Sequence, residues 1–431
     1  MSTIDTIKRK DERRARAVLV GLNADSMEPD ERSTEVTMEE LQALLETAGG
    51  ESLAWTLQNR DTPDPGSFIG SGKAQELKAL IAANDCDLAV FDNELSPSQM
   101  RVLTETLGVQ VLDRSGLILD IFAGRAQTKE GRLQVELAQY QYLLPRLTGM
   151  WTHLVRQTAS GGKSPIGTRG PGETQLETDR RHIRRRIQKL KEELEDVRRV
   201  RSTQRRMRQK NEMATVALVG YTNAGKSTLL NALTGAGIQT GDRLFDTLDT
   251  TTRRLRLDDT LEVLLSDTVG FIRKLPTQLV AAFKATLEEL RYADVILHVI
   301  DAANPDWSDQ ARVTDELIRE LEVESTPRIE VYNKCDRCAP EATPRNGDAV
   351  CISAVTGLGL DALKKKLYET LTKGEKVVTF LLPYAKGGEL DALHGGGRVL
   401  ETEYTDGGIR VRAACTPELY GRLRAYVQQD E

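Results

Sequence analysis

The residues Gly220 to Thr228 read G-Y-T-N-A-G-K-S-T and follow directly on the apolar run Ala214–Val219. An aliphatic, β-branched run that stops at glycine and resumes as a helix-forming segment is the strand, loop and helix that the G-x-x-x-x-G-K-[ST] pattern requires. That requirement leaves few folds open. Gly220 and Gly225 let the backbone wrap a phosphate chain, with the N–H groups of Tyr221, Thr222, Asn223 and Ala224 beside the positive end of the following helix. Lys226 is then expected to reach the β- and γ-phosphates and the Ser227 hydroxyl to ligate Mg²⁺, with Thr228 completing the motif.

At 431 residues the chain is too long for one ordinary core and is expected to form roughly two to four domains. Hydrophobic residues make up 39% and charged residues 29%, the balance of a soluble protein. No run approaches the roughly 18 apolar residues of a membrane span. The start M-S-T-I-D-T-I-K-R-K lacks an apolar signal core, so a cytoplasmic location is expected. The cysteines Cys86, Cys335, Cys338, Cys351 and Cys415 are scattered rather than arranged as a disulfide framework. Cys335 and Cys338 form a C-x-x-C with no second pair at zinc-site spacing. The net charge of −6 hides an asymmetry: residues 177–210 carry 14 Lys or Arg against 6 Asp or Glu, a balance of +8, which leaves −14 on the rest.

Along the chain, Arg16–Gly21, Ser52–Leu57, Leu88–Asp92 and Val109–Asp113 read as strands and alternate with helical patterns. Met38, Leu41, Leu44 and Leu45 mark one helical face, ended by Gly49-Gly50, and Ser96-Pro97 starts a helix that ends near Leu107-Gly108. Phe68-Ile69-Gly70-Ser71-Gly72-Lys73 resembles a fragment of a phosphate loop, but it is too short for the full pattern and reads better as a glycine turn opening a helix. From Ser115 to Leu144 a longer helical pattern runs through Phe122, Ala126, Leu133, Leu137 and Tyr140, with Pro145 as its end. After a glycine-rich segment, Ile183, Ile187, Leu190, Leu194 and Val197 repeat by four and three, the seam of a coiled coil. Two long helices joined by a loop make an antiparallel hairpin.

These patterns predict an α/β protein: a small parallel domain over 1–114, a two-helix hairpin over 115–212 with a loop near 145–175, a nucleotide domain over 213–373 and a small α+β domain over 374–431. In the last, Val377–Leu382, Arg398–Tyr404 and Ile409–Ala413 read as strands and Thr416–Val427 as a helix.

A phosphate loop alone leaves ATP and GTP open. Asn333-Lys334-Cys335-Asp336 follows an apolar strand and fits N-K-x-D, where the Asp336 carboxylate accepts from the N1–H and exocyclic amine of guanine. Adenine would leave that carboxylate unpaired, so GTP and GDP are the expected ligands. Ser353-Ala354-Val355 fits the S-A-x element supporting the same base, and Asp267-Thr268-Val269-Gly270 fits D-x-x-G, with Asp267 toward Mg²⁺ and the Gly270 N–H toward the γ-phosphate. Between them, Phe245-Asp246-Thr247-Leu248-Asp249 and Thr250 to Thr252 suit a first switch; Thr247 is preferred to complete the Mg²⁺ shell, with Thr250 to Thr252 left open. After D-x-x-G stands Phe271, which cannot orient the attacking water as a glutamine does, so switch backbone groups, a partner or a monovalent cation must assist. Asn223 offers an amide oxygen to such a cation; it is equally a residue that tolerates a turn.

The run Gly170-Pro171-Gly172-Glu173-Thr174-Gln175-Leu176-Glu177, the Arg-rich helix after it, the G-Y-T-N-A-G-K-S loop, D-T-V-G-F and the stretch Gly131–Gln139 closely resemble the HflX family of translation-factor GTPases, relatives of Obg. The resemblance reaches to about residue 372. It implies binding to the large ribosomal subunit, dissociation of stalled or stress-inactivated ribosomes, and a weak GTPase stimulated by the ribosome. It also favours Thr247 as the switch threonine and Asn223 as a potassium ligand. The family's F-A-T-L-D has Asp246 here in place of the small residue, and Asp249 is followed by threonine rather than proline. The residues point the same way. A local +8 beside Arg146, Arg156, Lys163 and Arg169 on an acidic protein suits an RNA phosphate backbone, and with few aromatics it suits rRNA bound by shape rather than stacking. A monomer is expected. Two other readings are a GTP-controlled regulator of a non-ribosomal partner, and an ATP-driven RNA remodeller using Gly70–Lys73.

Overall fold

In the computed structural model, which describes residues 14–159, 171–210, 213–237, 244–245, 251–275, 288–338 and 349–428, the N-terminal segment alternates strands and helices as its periodicity predicts. β1 (Ala15–Ala24), α1 (Glu35–Ala48), β2 (Gly50–Arg60), α2 (Ser71–Asn84), β3 (Leu88–Phe91), α3 (Pro97–Leu107) and β4 (Gln110–Asp113) form a parallel sheet in the order β2-β1-β3-β4. α1 opens with a capping box between Thr34 and Thr37 and closes on Gly49, whose φ of 86° is a left-handed cap that other residues resist. α3 opens on Ser96 with Pro97 in its first turn. Gly70 caps α2 and Lys73 pairs with Glu76 at 2.9 Å, so Gly70–Lys73 opens a helix as its glycine turn suggests.

The single long helix expected after Ser115 is two: α4 (Arg114–Arg125) and α5 (Lys129–Ala159). The break lies at Ala126–Thr128, where the Thr128 hydroxyl accepts from the Gly131 N–H at 3.0 Å and starts the second helix afresh. Pro145 does not end α5 but lies inside it. Proline removes one amide donor, and the next residue fixes the turn. The Arg146 guanidinium donates to Tyr142 O at 3.1 Å, to Leu95 O at 3.0 Å and to Asp113 Oδ2 at 3.2 Å, and lies 3.7 Å from the Tyr142 ring centroid. Arg146 is thus a buried structural residue at 6% exposure, which corrects its assignment to an RNA-facing loop. The expected loop over 145–175 is likewise helical at 145–159 and from 171; Lys163 and Arg169 lie outside the described residues, and of the Arg156 side chain nothing is described. α6 (Pro171–Lys210) begins at a first-turn proline. Leu133 and Leu137 of α5 pack with Leu190 and Leu194 of α6, and Arg186 donates to both Glu136 oxygens at 2.8 and 2.9 Å.

β5 (Thr215–Gly220), α7 (Lys226–Thr234), β6 (Thr251–Arg256), β7 (Glu262–Asp267), β8 (Val295–Asp301), α8 (Trp307–Glu320), β9 (Arg328–Asn333), β10 (Val350–Cys351) and α9 (Leu360–Leu371) build the second sheet, ordered β10-β9-β8-β5-β7-β6. All its pairs are parallel except β6 with β7. β5 and β8 are buried on both faces, which is why they read as continuous apolar runs. Thr251 and Thr252 belong to β6, where the Thr252 hydroxyl and Ser266 Oγ lie 2.8 Å apart in a hydrogen bond.

β11 (Lys376–Leu382), β12 (Gly397–Thr405) and β13 (Gly408–Cys415) form an antiparallel sheet in the order β11-β13-β12, covered by α10 (Gly387–Gly396) and α11 (Pro417–Leu423). The glycine-rich α10 carried no helical periodicity. Arg398 of β12 donates to Tyr368 Oη at 2.8 Å, Glu375 at 3.0 Å and Thr260 at 2.7 Å, tying this sheet to α9 and the β6–β7 turn. The chain divides into two compact units: one takes in 1–198, 241–249 and 270–285, the other 199–240, 250–269 and 286–431. Among the described residues, no helix is long and apolar enough to cross a membrane.

Candidate nucleotide site

Gly220 ends β5 with φ 154°, and a Cβ there would lie 2.1 Å from Val299 O of β8. Gly225, at φ 93°, would push a Cβ to 2.2 Å from Asn333 Nδ2. Both glycines are therefore fixed by close approach as well as by backbone conformation. Between them Tyr221, Thr222 and Ala224 are buried, and Thr222 Oγ1 has no hydrogen-bond partner among the described residues. Asn223 is exposed and left-handed at φ 60°, which satisfies its turn reading.

Lys226 opens α7 with its ammonium folded back on the loop, donating to Gly220 O at 3.0 Å and Tyr221 O at 2.7 Å. Burial lowers its pKa to about 8 against the opposing pull of Asp267, so the site gains from any anion brought to it. Ser227 Oγ donates to Asp267 Oδ2 at 2.6 Å. The two oxygen ligands predicted for Mg²⁺ thus converge, although they are forty residues apart, and hard oxygen donors suit that ion. Thr268 is buried with its hydroxyl on Leu218 O at 2.6 Å, and Val269, Gly270 and Phe271 are buried after it. Phe271, at 1% exposure, is a packing residue.

Asn333 is the hub of the second half. Its amide nitrogen donates to Ala224 O at 2.9 Å and its amide oxygen accepts from the Ala354 N–H at 3.0 Å, so one side chain joins the phosphate loop to the S-A-x element. Lys334, left-handed at φ 62°, pairs with Asp301 at 2.8 Å. Asp301 escaped the motif reading; its place at the end of β8 was the only signal. Asp336 is exposed in the turn Cys335–Arg337. Ser353 is buried and its hydroxyl accepts from the Thr356 N–H at 3.2 Å, while Val355 is 77% exposed. Burial pushes the Cys335 thiol up to about 12, which makes it an inert packing group. Thr228 follows on α7, and Phe245 is buried; Asp246, Thr247, Leu248, Asp249 and Thr250 lie outside the described residues.

Three family models match the chain: a GTP-binding GTPase N-terminal region over residues 35–123, a GTP-binding GTPase middle region over 125–208, and a 50S ribosome-binding GTPase over 215–334. The GTPase HflX of Caldanaerobacter subterraneus subsp. tengcongensis is 48% identical over 412 residues, 96% of this chain and 94% of the relative. That of Escherichia coli (strain K12) is 45% identical over 357 residues, 81% of this chain and 82% of the relative. Among solved structures, a complex of SsGBP with GDP is 25% identical, with a TM-score of 0.46, covering 83% of this chain and 99% of that one. With identity near one half sustained across nearly the full length, the chain belongs to the HflX family of GTPases.

Proposed function

We propose that the chain binds GTP on Gly220–Thr228, hydrolyses it to GDP and phosphate, and in its GTP form engages the large ribosomal subunit to split or rescue stalled or stress-inactivated ribosomes, with hydrolysis releasing it. The observation that carries the nucleotide half is the Asn333 bridge, which places the N-K-x-D segment on the phosphate loop. Asp336 then reads guanine, with Ser353, Ala354 and Val355 beside it. Lys226 neutralises the β- and γ-phosphates, and Gly270 offers its N–H to the γ-phosphate. Mg²⁺ would be held by Ser227, Asp267 and Thr247 and would supply charge neutralisation on the phosphate oxygens. Asn223 is a proposed potassium ligand. The ribosomal half is supported by the family description as a 50S ribosome-binding GTPase and by the exposed cations of α6, among them Arg181, Arg185 and Lys191. We place the protein in the cytoplasm, acting as a monomer.

Ribosomes sedimented with the protein and GTP, GDP or a non-hydrolysable GTP analogue test this. Fewer intact ribosomes with GTP, and GTP turnover that rises when large subunits are added, are expected. An unchanged profile together with turnover indifferent to subunits would leave a regulator of some other partner as the better reading.

A further inference from the structure

In an open parallel sheet, ligands settle outside the carboxyl ends of the strands where the strand order reverses. In the order β2-β1-β3-β4 that point lies between β1 and β3. Asp92, the residue after β3, sits there fully buried. Its Oδ1 accepts from Arg114 at 2.8 Å, and its Oδ2 accepts from Ser33 Oγ at 2.7 Å, Thr37 Oγ1 at 2.8 Å and the Lys274 ammonium at 2.5 Å. Arg114 also bonds Glu40. A lysine therefore occupies the place in this small domain where a ligand would be held. That lysine follows D-x-x-G along the chain, and it belongs to the same compact unit as the sheet.

Two features make this more than an incidental ion pair. Lys274 is left-handed at φ 53°, a conformation that is strained for a non-glycine residue, and its side chain is only 12% exposed. Burial lowers its pKa, against the pull of Asp92, which opposes the loss of charge. The same pattern recurs in the stretch expected to be the first switch: Phe245 is left-handed at φ 57°, 2% exposed, and stands edge-on to Phe122 of α4 with ring centroids 4.6 Å apart. Each expected switch thus has one strained, buried residue anchored on the N-terminal unit.

We infer that Asp92 and Lys274 form a latch that biases the protein's choice between GTP and GDP, Asp92 acting as a positioning residue through Lys274 on the loop that carries Gly270. The argument is linkage. A contact that holds the second switch in one arrangement favours whichever nucleotide leaves that arrangement in place, and opposes the one whose γ-phosphate must draw Gly270 toward it. The Gly270 N–H is the group expected to meet the γ-phosphate, which GDP lacks, so a loop tied down at Lys274 opposes GTP and leaves GDP as it was. The latch therefore favours GDP, and its loss favours GTP.

This inference rests on the GTPase reading, and one experiment separates their failures. Dissociation constants for GDP and a non-hydrolysable GTP analogue are measured on the full chain for wild type, Lys274→Met, Lys274→Arg and Asp92→Asn, with melting temperatures alongside. Lys274→Met should tighten the GTP analogue relative to GDP by about fivefold or more, the usual floor of a coupling between sites, and Lys274→Arg should stay near wild type. Lys274→Met leaves Asp92 paired with Arg114, so it carries the test even where Asp92→Asn fails to fold. Wild-type binding of neither nucleotide overturns the GTPase reading. Normal wild-type binding, with a GTP-to-GDP ratio unchanged in Lys274→Met, overturns the latch alone.

Discussion

At the level of single residues, the nucleotide site was legible because each of its demands excludes most amino acids. Gly220 and Gly225 cannot carry a Cβ against Val299 O and Asn333 Nδ2, and the guanine reading proposed for Asp336 needs a carboxylate that accepts from two donors. Residues whose identity answers to distant neighbours were not legible. His298 is one. On β8 it is 2% exposed, its Nδ1 lies 3.6 Å from Asp315, and that carboxylate is engaged by Arg328 at 2.6 Å. Burial, together with the Arg328 and Lys226 cations, lowers its pKa to about 3. The imidazole is then neutral when folded and takes a proton below about pH 6.5 only when unfolded. Its contribution to stability is full above pH 6.5 and is lost as pH falls toward 3. Between pH 7 and pH 5 the wild type should lose about 2 kcal/mol more than His298→Leu, by the linkage of one proton. Denaturant titrations of both proteins at the two pH values measure this, and parallel losses would show that the imidazole does not carry it.

At the level of elements, capping chemistry predicted some starts and stops well. Ser96 and Gly49 act as their types suggest. The local cap of Thr128 on the Gly131 N–H was missed, and at Pro145 the local signal failed outright. A proline is a strong local stop signal, but here Arg146 forms buried bonds to Leu95 and Asp113 from outside the helix, which tertiary structure alone reveals. The hairpin seam was read correctly because its period survives in sequence over Leu133, Leu137, Leu190 and Leu194. Its centre is Leu190, which is fully buried against Leu133, Leu137 and Leu194. Leu190→Ala should cost about 2 to 4 kcal/mol, as truncation of a buried leucine does. Hydrogen exchange should report the loss in α5 and α6, with the amides of β5 and β8 unchanged. Equal deprotection of the second sheet would mean that the hairpin is not a separable element.

At the level of the whole molecule, charge is divided as sharply as the fold. The chain carries −6, yet residues 177–210 carry +8, so an approaching polyanion is repelled by most of the surface and drawn to one helix. Binding to an RNA phosphate backbone should then weaken steeply with salt, each phosphate contact adding about 0.7 to 0.9 to the slope of log affinity against log salt concentration. Arg181 and Arg185 are exposed on α6 and their helix is held by Leu190 and Leu194, so reversing them leaves the seam intact. The double change Arg181→Glu and Arg185→Glu should lower the slope for large-subunit binding by about 1 to 2 and leave GTP affinity as it was. Arg312→Glu, on α8 and paired there with Glu316 at 2.8 Å, changes the total charge in the same sense without touching the basic helix. If attraction depended on net charge alone, the slopes of all variants would follow their totals. If α6 is the contact, Arg312→Glu keeps the wild-type slope and the double reversal does not. Slopes measured by subunit co-sedimentation between low and moderate salt decide between them, because released counterions are counted one contact at a time.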